Sequence, residues 1–385
     1  MKQRTFKLKE FAQDISVAVK DAQLSPLKRF VGLEHYDSNE PVITRFTDTS
    51  LLSSSVKEFS ENDILIARRN VYLRRAGIVF FSGLTSGDSI VLRIYNDCED
   101  RTGIPKDDAI RIIPFILNSN DFWAYANKHA DGMNSKRISK DMLYDYEFSL
   151  PPIEEQRILA DKLWAAYRLK ESYKKLLTAT QEMVKSQFIE MFYGMETTPV
   201  KDYIDDSFPG EWGTEDKDGN GVKVIRTTNF TNSGKLNLAD VVTRSIEDRK
   251  VARKQIKKYD TILERSGGTA DNPVGRVVLF EEDDLFLCNN FTQVLRFKDV
   301  DPRFAFYALY YFYQTNRTAI RSMGSKTTGI QNLNMSKYLE IGIPNASDEG
   351  QKVFVTIAEQ ADKSEFELRK SIEAIDQAIK SLINN

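Results

Sequence analysis

The chain has 385 residues, of which 41% are hydrophobic and 29% charged, and its formal net charge is −2. This composition predicts a globular protein of one large or two ordinary domains, and no apolar run approaches the roughly 20 residues that cross a bilayer. The near-neutral charge argues against a non-specific nucleic-acid binder, although a basic surface confined to one face stays open.

The first 150 residues are predicted to form a domain of mixed α and β structure. β-Branched and aromatic runs bounded by Gly, Asp and Asn predict strands at 64–67, 77–81 and 90–94. The Pro151-Pro152 pair then marks the boundary between this domain and a long helix, because proline lacks a backbone N–H and interrupts regular structure.

Residues 151–194 are predicted to be this helix with its flanking residues. The stretch 153–192 contains neither Gly nor Pro, and its apolar residues recur at steps of three and four, which is typical of a coiled coil. Glu154 and Glu155 complement the helix dipole in the first turn, and Gly194 is a suitable terminator.

The second half of the chain repeats this plan. Residues 195–345 predict a second mixed domain, with strands at 222–226, 275–280 and 294–297 and a helix at 303–316. Residues 346–385 predict a second long helix with the same apolar spacing.

Direct sequence matches indicate that the two halves are diverged copies of one unit. Gln156 aligns with Gln351 and Lys185 with Lys380 at an offset of 195 residues, and 63–68 aligns with 260–265 at 197. Further matches join 30–35 to 225–230 at 195, 91–93 to 294–296 at 203, 148–151 to 341–344 at 193, and 131–138 to 323–330 at 192. Because these matches keep one order with small drifts, we predict a duplication.

A lone helix of this length would expose its apolar stripe, so each long helix needs a partner. We favour an antiparallel coiled coil between the two helices, with the domains related by pseudo-symmetry. The alternative is that each helix packs on its own domain. The predicted fold class is therefore α+β, with two pseudo-symmetric mixed domains separated by two long paired helices.

Catalytic and metal-binding motifs are missing from the sequence. There are two histidines and two distant cysteines, without HExxH, GxSxG, a P-loop ending or a CxxC pair. We therefore expect no enzyme activity, no metal and no cofactor in this chain. The first residues, 1–6, have no apolar stretch behind their charges, so we expect no secretory signal and a cytoplasmic location.

Two polar loops in each half have the residue types that read DNA. Arginine pairs with guanine, asparagine with adenine, and further basic and hydroxyl groups bind phosphates. An ordinary solvated loop is the alternative in each case. The candidates of the first half are Arg68, Arg69, Asn70, Arg74, Arg75, Lys136 and Arg137. The candidates in the two loops of the second half are Arg265, Ser266, Thr269, Lys326, Thr327, Thr328 and Gln331. Arg226 and Asn229 belong to a third candidate segment, 226–229, for which a structural role is the alternative.

The two copies differ in these loops far more than in their helices. Diverged reading loops on a shared frame predict two different half-sites and thus a bipartite, non-palindromic target.

The whole chain resembles the specificity (S) subunits of type I restriction-modification systems. The resemblance lies in the helix opening LPPIEEQRI at 150–158, in FVGLEH at 30–35, in VIRTTNF at 224–230 and in QFIEMF at 187–192. The second helix opening departs from the pattern, with Asn345 and Gly350 where the first copy has Pro152 and Glu155.

This resemblance implies two target recognition domains that bind double-stranded DNA, with the helices as a ruler between them. It also implies two methyltransferase (M) subunits docked on the helices, and an ATP-driven restriction (R) subunit can join them. S-Adenosylmethionine and ATP with Mg would belong to those partners. The candidate docking residues are Gln156, Leu159, Leu163, Tyr173, Leu177, Phe354, Ile357, Ile372 and Ile379.

Three other interpretations remain open. One is a specificity subunit of a system with a methylase but no nuclease. Another is a coiled-coil scaffold whose domains bind protein rather than DNA. The third is an enzyme whose active site has no recognised motif.

Overall fold

The structure is a computed structural model that describes residues 3–51, 56–133, 135–269, 271–327 and 330–384, without the side chains of Leu51, Lys326 and Thr327. The chain folds into two compact units. The first unit comprises Met1–Lys175 and Leu368–Asn385, and the second unit comprises Leu176–Glu367. Each unit therefore takes one part of each long helix, and the predicted segment boundaries at 150, 194 and 345 stay a prediction.

The described residues of the first unit form three sheets. Its strands are β1 (Arg4–Lys7), β2 (Ala12–Asp14), β3 (Ala18–Val19), β4 (Arg29–Val31), β5 (Thr47–Asp48), β6 (Val56–Phe59), β7 (Ile64–Ala67), β8 (Ala76–Ile78), β9 (Gly83–Ser86), β10 (Ser89–Ile94) and β11 (Glu147–Leu150). An antiparallel sheet has the order β2-β10-β7-β8, and a mixed sheet has the order β3-β6-β9-β4-β5, in which β4 and β9 are parallel. β1 pairs with β11 and so joins the start of the unit to the strand before the long helix.

Helices cover the antiparallel sheet of the first unit. They are α1 (Leu8–Phe11), α2 (Cys98–Thr102), α3 (Lys106–Ile116), α4 (Asn120–Lys128), α5 (Lys140–Tyr144) and the long α6 (Ile153–Phe192). The apolar sides of α3 and α4 share one core with this sheet and with the start of α6, and Phe115, Trp123 and Leu163 are almost fully buried there.

In the part of the second unit that the structure describes, the strands form four sheets. Its strands are β12 (Thr197–Pro199), β13 (Ile204–Pro209), β14 (Thr214–Glu215), β15 (Val222–Ile225), β16 (Val242–Ser245), β17 (Thr261–Glu264), β18 (Ser266–Gly267), β19 (Val277–Leu279), β20 (Phe286–Cys288), β21 (Thr292–Phe297), β22 (Gly324–Thr327), β23 (Ile330–Leu333) and β24 (Gly342–Pro344). The sheet β13-β21-β17-β19 repeats the strand order of β2-β10-β7-β8, and β12 pairs with β24 as β1 does with β11. The parallel pair β15–β20 corresponds to β4–β9, and β18-β23-β22 is a small additional sheet.

The helices of the second unit are α7 (Asp248–Lys254), α8 (Pro302–Thr315), α9 (Arg317–Met323), α10 (Met335–Tyr338) and the long α11 (Asp348–Asn384). Of these, α8 is rich in aromatic residues and packs its Phe304 and Tyr311 rings on Phe188 of α6.

One ion pair fixes the same turn in both units and confirms the duplication at the level of side chains. Arg93 on β10 binds Asp63 with two hydrogen bonds of 2.7 Å, and Arg296 on β21 binds Asp260 at 2.9 and 2.6 Å. Each aspartate also accepts a backbone N–H from three residues earlier in the chain. Because both carboxylates are almost fully buried, these bonds compensate the loss of their hydration.

The long helices pack on each other within each unit, as predicted. In the first unit the Lys170 ammonium lies 2.6 Å from Asp376. In the second unit Gln181 donates to Glu365 at 3.1 Å, and the Phe188 ring meets Phe354 at 5.1 Å. Partners on α11 come earlier in the chain as α6 advances, so the helices are antiparallel.

The stretch 153–192, predicted to be helical throughout, is α6, which begins at Ile153 and ends at Phe192. None of the helices in the described part of the chain is both long and apolar enough to cross a membrane.

Candidate nucleic-acid interface

The two polar loops predicted in the first unit form one surface. The backbone N–H of Asn70 donates to the carbonyl of Lys136 at 2.7 Å, and that of Ile138 donates to Arg68 at 3.0 Å. The loop after β7 and the loop before α5 therefore lie side by side, although more than sixty residues separate them in the sequence.

The second unit builds the same junction after β17. The N–H of Leu333 donates to the carbonyl of Arg265 at 2.8 Å, which repeats the bond between Ile138 and Arg68. Next to it, β18 pairs with β23, with Ser266 opposite Asn332. The two candidate loops of each unit thus converge, and they do so through the same backbone hydrogen bond.

This equivalence corrects the sequence alignment of the second loop. Ile138 corresponds to Leu333, an offset of 195 residues, rather than to Ile330 at an offset of 192. The glycines that guided the alignment are not equivalent, because Gly132 lies in an irregular turn whereas Gly324 begins β22.

Three basic groups of the first unit remain at the surface of this junction. Lys136 is exposed, and the side chains of Arg69 and Arg137 each keep 42% of their surface accessible. Both arginines approach Asp88, at 3.3 and 3.6 Å. Arg68 is half-buried beside them, and its Nε is buried without a hydrogen-bond partner among the described residues.

Two other arginines of the first loop bind atoms of the unit itself. Arg74 has a left-handed backbone, with φ 51°, and donates to the Asn120 side chain at 3.1 Å. Arg75 donates to the carbonyls of Leu33 at 2.9 Å and Arg69 at 3.2 Å. Arg75 therefore clamps the loop from behind, and the prediction that it contacts DNA is replaced by a positioning role.

Arg276 is the counterpart of Arg75 in the second unit. It donates to the carbonyl of Thr227, and it also binds the buried carboxylate of Glu264 at 2.7 and 3.1 Å. Burial opposes its charge, but the hydrogen bonds and charge of Glu264 prevail and raise the pKa of Arg276. Arg75 has no such carboxylate, because Ala67 occupies the position of Glu264, and burial lowers the pKa of Arg75.

The surface of the second unit is less charged. Ser266 is buried and donates to Asn332 at 2.7 Å, so it is unavailable to a ligand and its predicted contact with DNA is withdrawn. Arg265 is half-buried and reaches Gln293 at 3.3 Å. The chain turns sharply here because Gly268 has φ +62°, and a Cβ atom at this position would lie 2.8 Å from a backbone nitrogen.

The structure describes the side chains of only some of the remaining candidates in the two loops of the second unit. Thr269 is exposed and its hydroxyl accepts the N–H of Asn272, while Gln331 is half-buried on β23. Thr328 lies outside the described residues, as do the side chains of Lys326 and Thr327.

Arg226 and Asn229 belong to the framework. Asn229 is 3% exposed, its carbonyl oxygen accepts the N–H of Arg226 at 2.8 Å, and its amide donates to the carbonyls of Asn237 and Asp240. His35 performs the same capping in the first unit, where Nδ1 accepts the N–H of Gly32 at 2.8 Å. The predicted contact of Asn229 with DNA is therefore corrected to a structural role, and Arg226 is held by Asp240 at 2.9 Å.

The residues predicted to dock partners on the helices mostly face inwards. Gln156, Leu163, Phe354 and Ile379 are buried in their own units, which removes them as docking contacts. The others are partly buried, namely Leu159, Tyr173, Leu177, Ile357 and Ile372. The apolar stripe that revealed the helices is thus occupied by intramolecular packing.

Sequence reasoning missed two residues at the junction, Asp88 and Phe291. The N–H of Arg68 donates to the carbonyl of Asp88 at 3.0 Å, and that of Arg265 donates to Phe291 at 2.9 Å, so the two positions are equivalent. The match of 91–93 with 294–296 already implied this pairing when extended three residues back.

Comparisons with known proteins agree with this architecture. Residues 207–377 match the model of the type I restriction modification DNA specificity domain. A search of curated proteins found no match.

Two solved structures share the fold along the whole chain. One was solved in a study of the structural basis underlying complex assembly and conformational transition of the type I R-M system. It has a TM-score of 0.55 and 14% sequence identity to this chain, and the match covers 99% of this chain and 96% of that chain. The other is a type I restriction-modification system S subunit from M. genitalium, with TM-score 0.53, 12% identity, and 100% and 97% covered. The second half of the chain thus matches the type I restriction modification DNA specificity domain, and the whole chain shares the fold of these two solved structures.

Proposed function

We propose that each unit reads one half of a bipartite, non-palindromic DNA target through its junction of two loops. One observation carries this proposal, namely that identical backbone hydrogen bonds position different side chains in the two units. Arg69 and Ser266 occupy one such equivalent position, and Arg137 and Asn332 occupy another. Two identical readers would require a palindrome, whereas two diverged readers on one frame do not.

The contacts that we propose are the predicted residues that have not been assigned to the framework, together with those whose side chains lie outside the described residues. In the first half-site, arginine side chains would read base edges while exposed basic groups bind phosphates. The proposed contacts of the first unit are Arg68, Arg69, Asn70, Arg74, Lys136 and Arg137. Those of the second unit are Arg265, Thr269 and Gln331, together with Lys326, Thr327 and Thr328 from the sequence.

Mapping of methylated adenines tests this function. The chain is produced together with its methyltransferase partner, and we expect a split methylated motif that is absent when this chain is omitted. Replacing Lys136 and Arg137 by alanine should change one half of the motif, and replacing Thr269 and Gln331 should change the other half. A motif without two halves, or methylation independent of this chain, would contradict the proposal.

We further propose that α6 and α11 space the two half-sites and dock two methyltransferase subunits, with room for a restriction subunit. S-Adenosylmethionine and ATP with Mg would be bound by those partners, and the assembly would act in the cytoplasm. Large apolar side chains that are exposed on the two long helices support docking there, because exposed apolar patches mark interaction surfaces. These side chains are Ile158, Leu169, Leu176, Met183, Val353 and Phe366.

Charge substitutions at these positions test the docking proposal. Leu176→Glu and Met183→Glu should each weaken capture of the methyltransferase, while the circular dichroism and melting temperature of the isolated chain stay unchanged. Ser322→Glu, which is also exposed but lies on α9, away from the long helices in the sequence, is the control and should retain the partner. Equal retention by all three variants would place the docking surface elsewhere.

A further inference from the structure

Three residues of the first unit meet at the proposed reading surface and form a charged set. Arg69 and Arg137 lie opposite each other in an isolated antiparallel β-bridge. Asp88, at the turn before β10, places Oδ2 at 3.3 Å from Arg69 Nη1 and Oδ1 at 3.6 Å from Arg137 Nη2. Arg69 is also fixed by its Nε, which donates to the Ser135 hydroxyl at 3.0 Å. One carboxylate thus orients two guanidinium groups.

The equivalent residues of the second unit form an uncharged set. Ser266 stands in the place of Arg69, Phe291 in that of Asp88, and Asn332 in that of Arg137. The Ser266 hydroxyl donates to the Asn332 amide oxygen at 2.7 Å, and the Phe291 side chain is exposed. All three positions therefore change together, although the backbone around them does not.

A change of this kind points to recognition rather than to folding. A framework ion pair such as that between Arg93 and Asp63 is kept in the second unit as Arg296 and Asp260. The ion pairs of Asp88 are lost without any charged replacement, so the fold does not depend on them. Two guanidinium groups held in place and still accessible match the O6 and N7 acceptors of guanine in the major groove.

We propose that Asp88 is a positioning residue that holds Arg69 and Arg137 against guanine in the half-site of the first unit. At the equivalent place the second unit offers Phe291 and the Asn332 amide, which suit an apolar base edge and an amide contact instead of guanine. This inference rests on the proposed function, because it assumes that the junction of loops reads DNA.

Modified bases give the sharpest test. The full chain in complex with its methyltransferase is titrated with the mapped target duplex and with duplexes in which each guanine is replaced by 7-deazaguanine, which lacks the N7 acceptor. For the wild-type complex, we expect affinity to fall about 10-fold at one or two guanines of one half-site, which is the scale of a lost bidentate contact. The other half-site should contain no guanine with this sensitivity.

Variants of Asp88 separate orientation from mere stability. Asp88→Asn should remove most of the 7-deazaguanine penalty, because the arginines no longer discriminate, and Asp88→Glu should restore part of it. A purely structural role would weaken all duplexes equally and leave the penalty ratio unchanged. Arg69→Lys should keep general affinity but lose the penalty, since lysine has no bidentate fork. Asp97→Asn is the matched control, because Asp97 forms an exposed ion pair with Arg101 elsewhere in the first unit.

The outcomes distinguish this inference from the proposed function. If the wild-type complex has a split motif but Asp88→Asn leaves the penalty intact, the role of Asp88 is refuted and half-site reading survives. If Asp88→Asn and Phe291→Ala alter the same half-site, the equivalence of the two positions in recognition is refuted. If the wild-type complex shows no split motif, the proposed function itself fails first.

Discussion

Two equivalent glutamines at the starts of the long helices should differ in their contribution to stability. Gln156 donates its amide to the carbonyl of Pro151 at 2.7 Å, and Gln351 donates to Ala346 at 2.9 Å. Gln351 also accepts the N–H of Asp301 at 2.8 Å, whereas the carbonyl oxygen of Gln156 is buried without a partner among the described residues.

The difference comes from the residue that immediately precedes α8 in the second unit and α3 in the first unit. Asp301 precedes α8 and carries the N–H that Gln351 accepts. At the corresponding place before α3 stands Pro105, whose nitrogen has no hydrogen. The donor is therefore missing in the first unit, and the oxygen of Gln156 stays unpaired.

Substitution by methionine, which has a similar volume, converts this asymmetry into a measurable difference. Gln351→Met removes two hydrogen bonds, and at about 1 kcal/mol each the unit should lose about 2 kcal/mol. Gln156→Met removes one bond but also an unpaired buried oxygen, so the two effects, each about 1 kcal/mol, should nearly cancel. The expected gap of about 2 kcal/mol corresponds to roughly a 30-fold change in the unfolding equilibrium.

Hydrogen exchange followed by mass spectrometry can assign this change to a unit of the full chain. Gln351→Met should accelerate exchange of slow amides in α8 and β21, while Gln156→Met leaves those in α3 and β10 almost unchanged. Pro105→Ala provides a coupling control, because Gln156→Met should cost about 2 kcal/mol more in that background, where it removes two hydrogen bonds and no unpaired oxygen. Equal losses for the two glutamine variants, or no coupling with Pro105, would refute the reasoning.

Three further predictions follow from the equivalent arginines, the exposed lysine and a buried thiol. Arg276→Met should cost about 3 kcal/mol or more in chemical unfolding because it strands the buried Glu264, whereas Arg75→Met should cost about 1–2 kcal/mol. Lys136→Ala should make the salt dependence of DNA binding less steep, with the log–log slope reduced by about 1 in titrations of the complex. Burial raises the pKa of the Cys288 thiol from 9.0 to about 12, so alkylation should be blocked in the native state. Because the folded state disfavours the thiolate of Cys288, its ionisation should leave the free energy of unfolding unchanged below pH 9. That free energy should fall as the pH rises from 9 towards 12, where the unfolded chain alone ionises.

The long helices and the duplication could be predicted from the sequence, because apolar residues recur periodically along the helices and sequence matches recur between the two halves. The helix 153–192 follows from an apolar spacing uninterrupted by Gly or Pro, and α6 has those bounds. The duplication follows from matches such as Gln156 with Gln351, which the structure explains by the same bond to a carbonyl five residues earlier. The offset drifts where loops differ in length, which is why the match of 131–138 was misplaced by three residues.

Individual reading residues were harder to predict because residue type does not reveal where a side chain points. Arg69 and Arg75 lie in one basic run, yet Arg69 stays accessible while Arg75 turns inwards to two carbonyls. Asn229 has the side chain that reads adenine, but it is used to cap its own turn. Asp88 was overlooked because a lone aspartate in a turn carries no sequence signal, and its meaning comes from the two arginines that tertiary structure brings to it.

Comparison of the two units distinguishes framework residues from recognition residues without reference to any relative. A contact that both units keep has survived their divergence and is needed by the fold, as with the carbonyl clamp made by Arg75 and by Arg276. At a position where the backbone hydrogen bonds are kept but the side chain differs, the fold does not require that side chain, which can then serve recognition. Asp88 and Phe291 meet this second condition, because each accepts the same backbone N–H but faces the surface with opposite chemistry. The sites that specify the DNA sequence should therefore be found among such positions, which include Arg69 and Arg137, and basic character alone does not identify them.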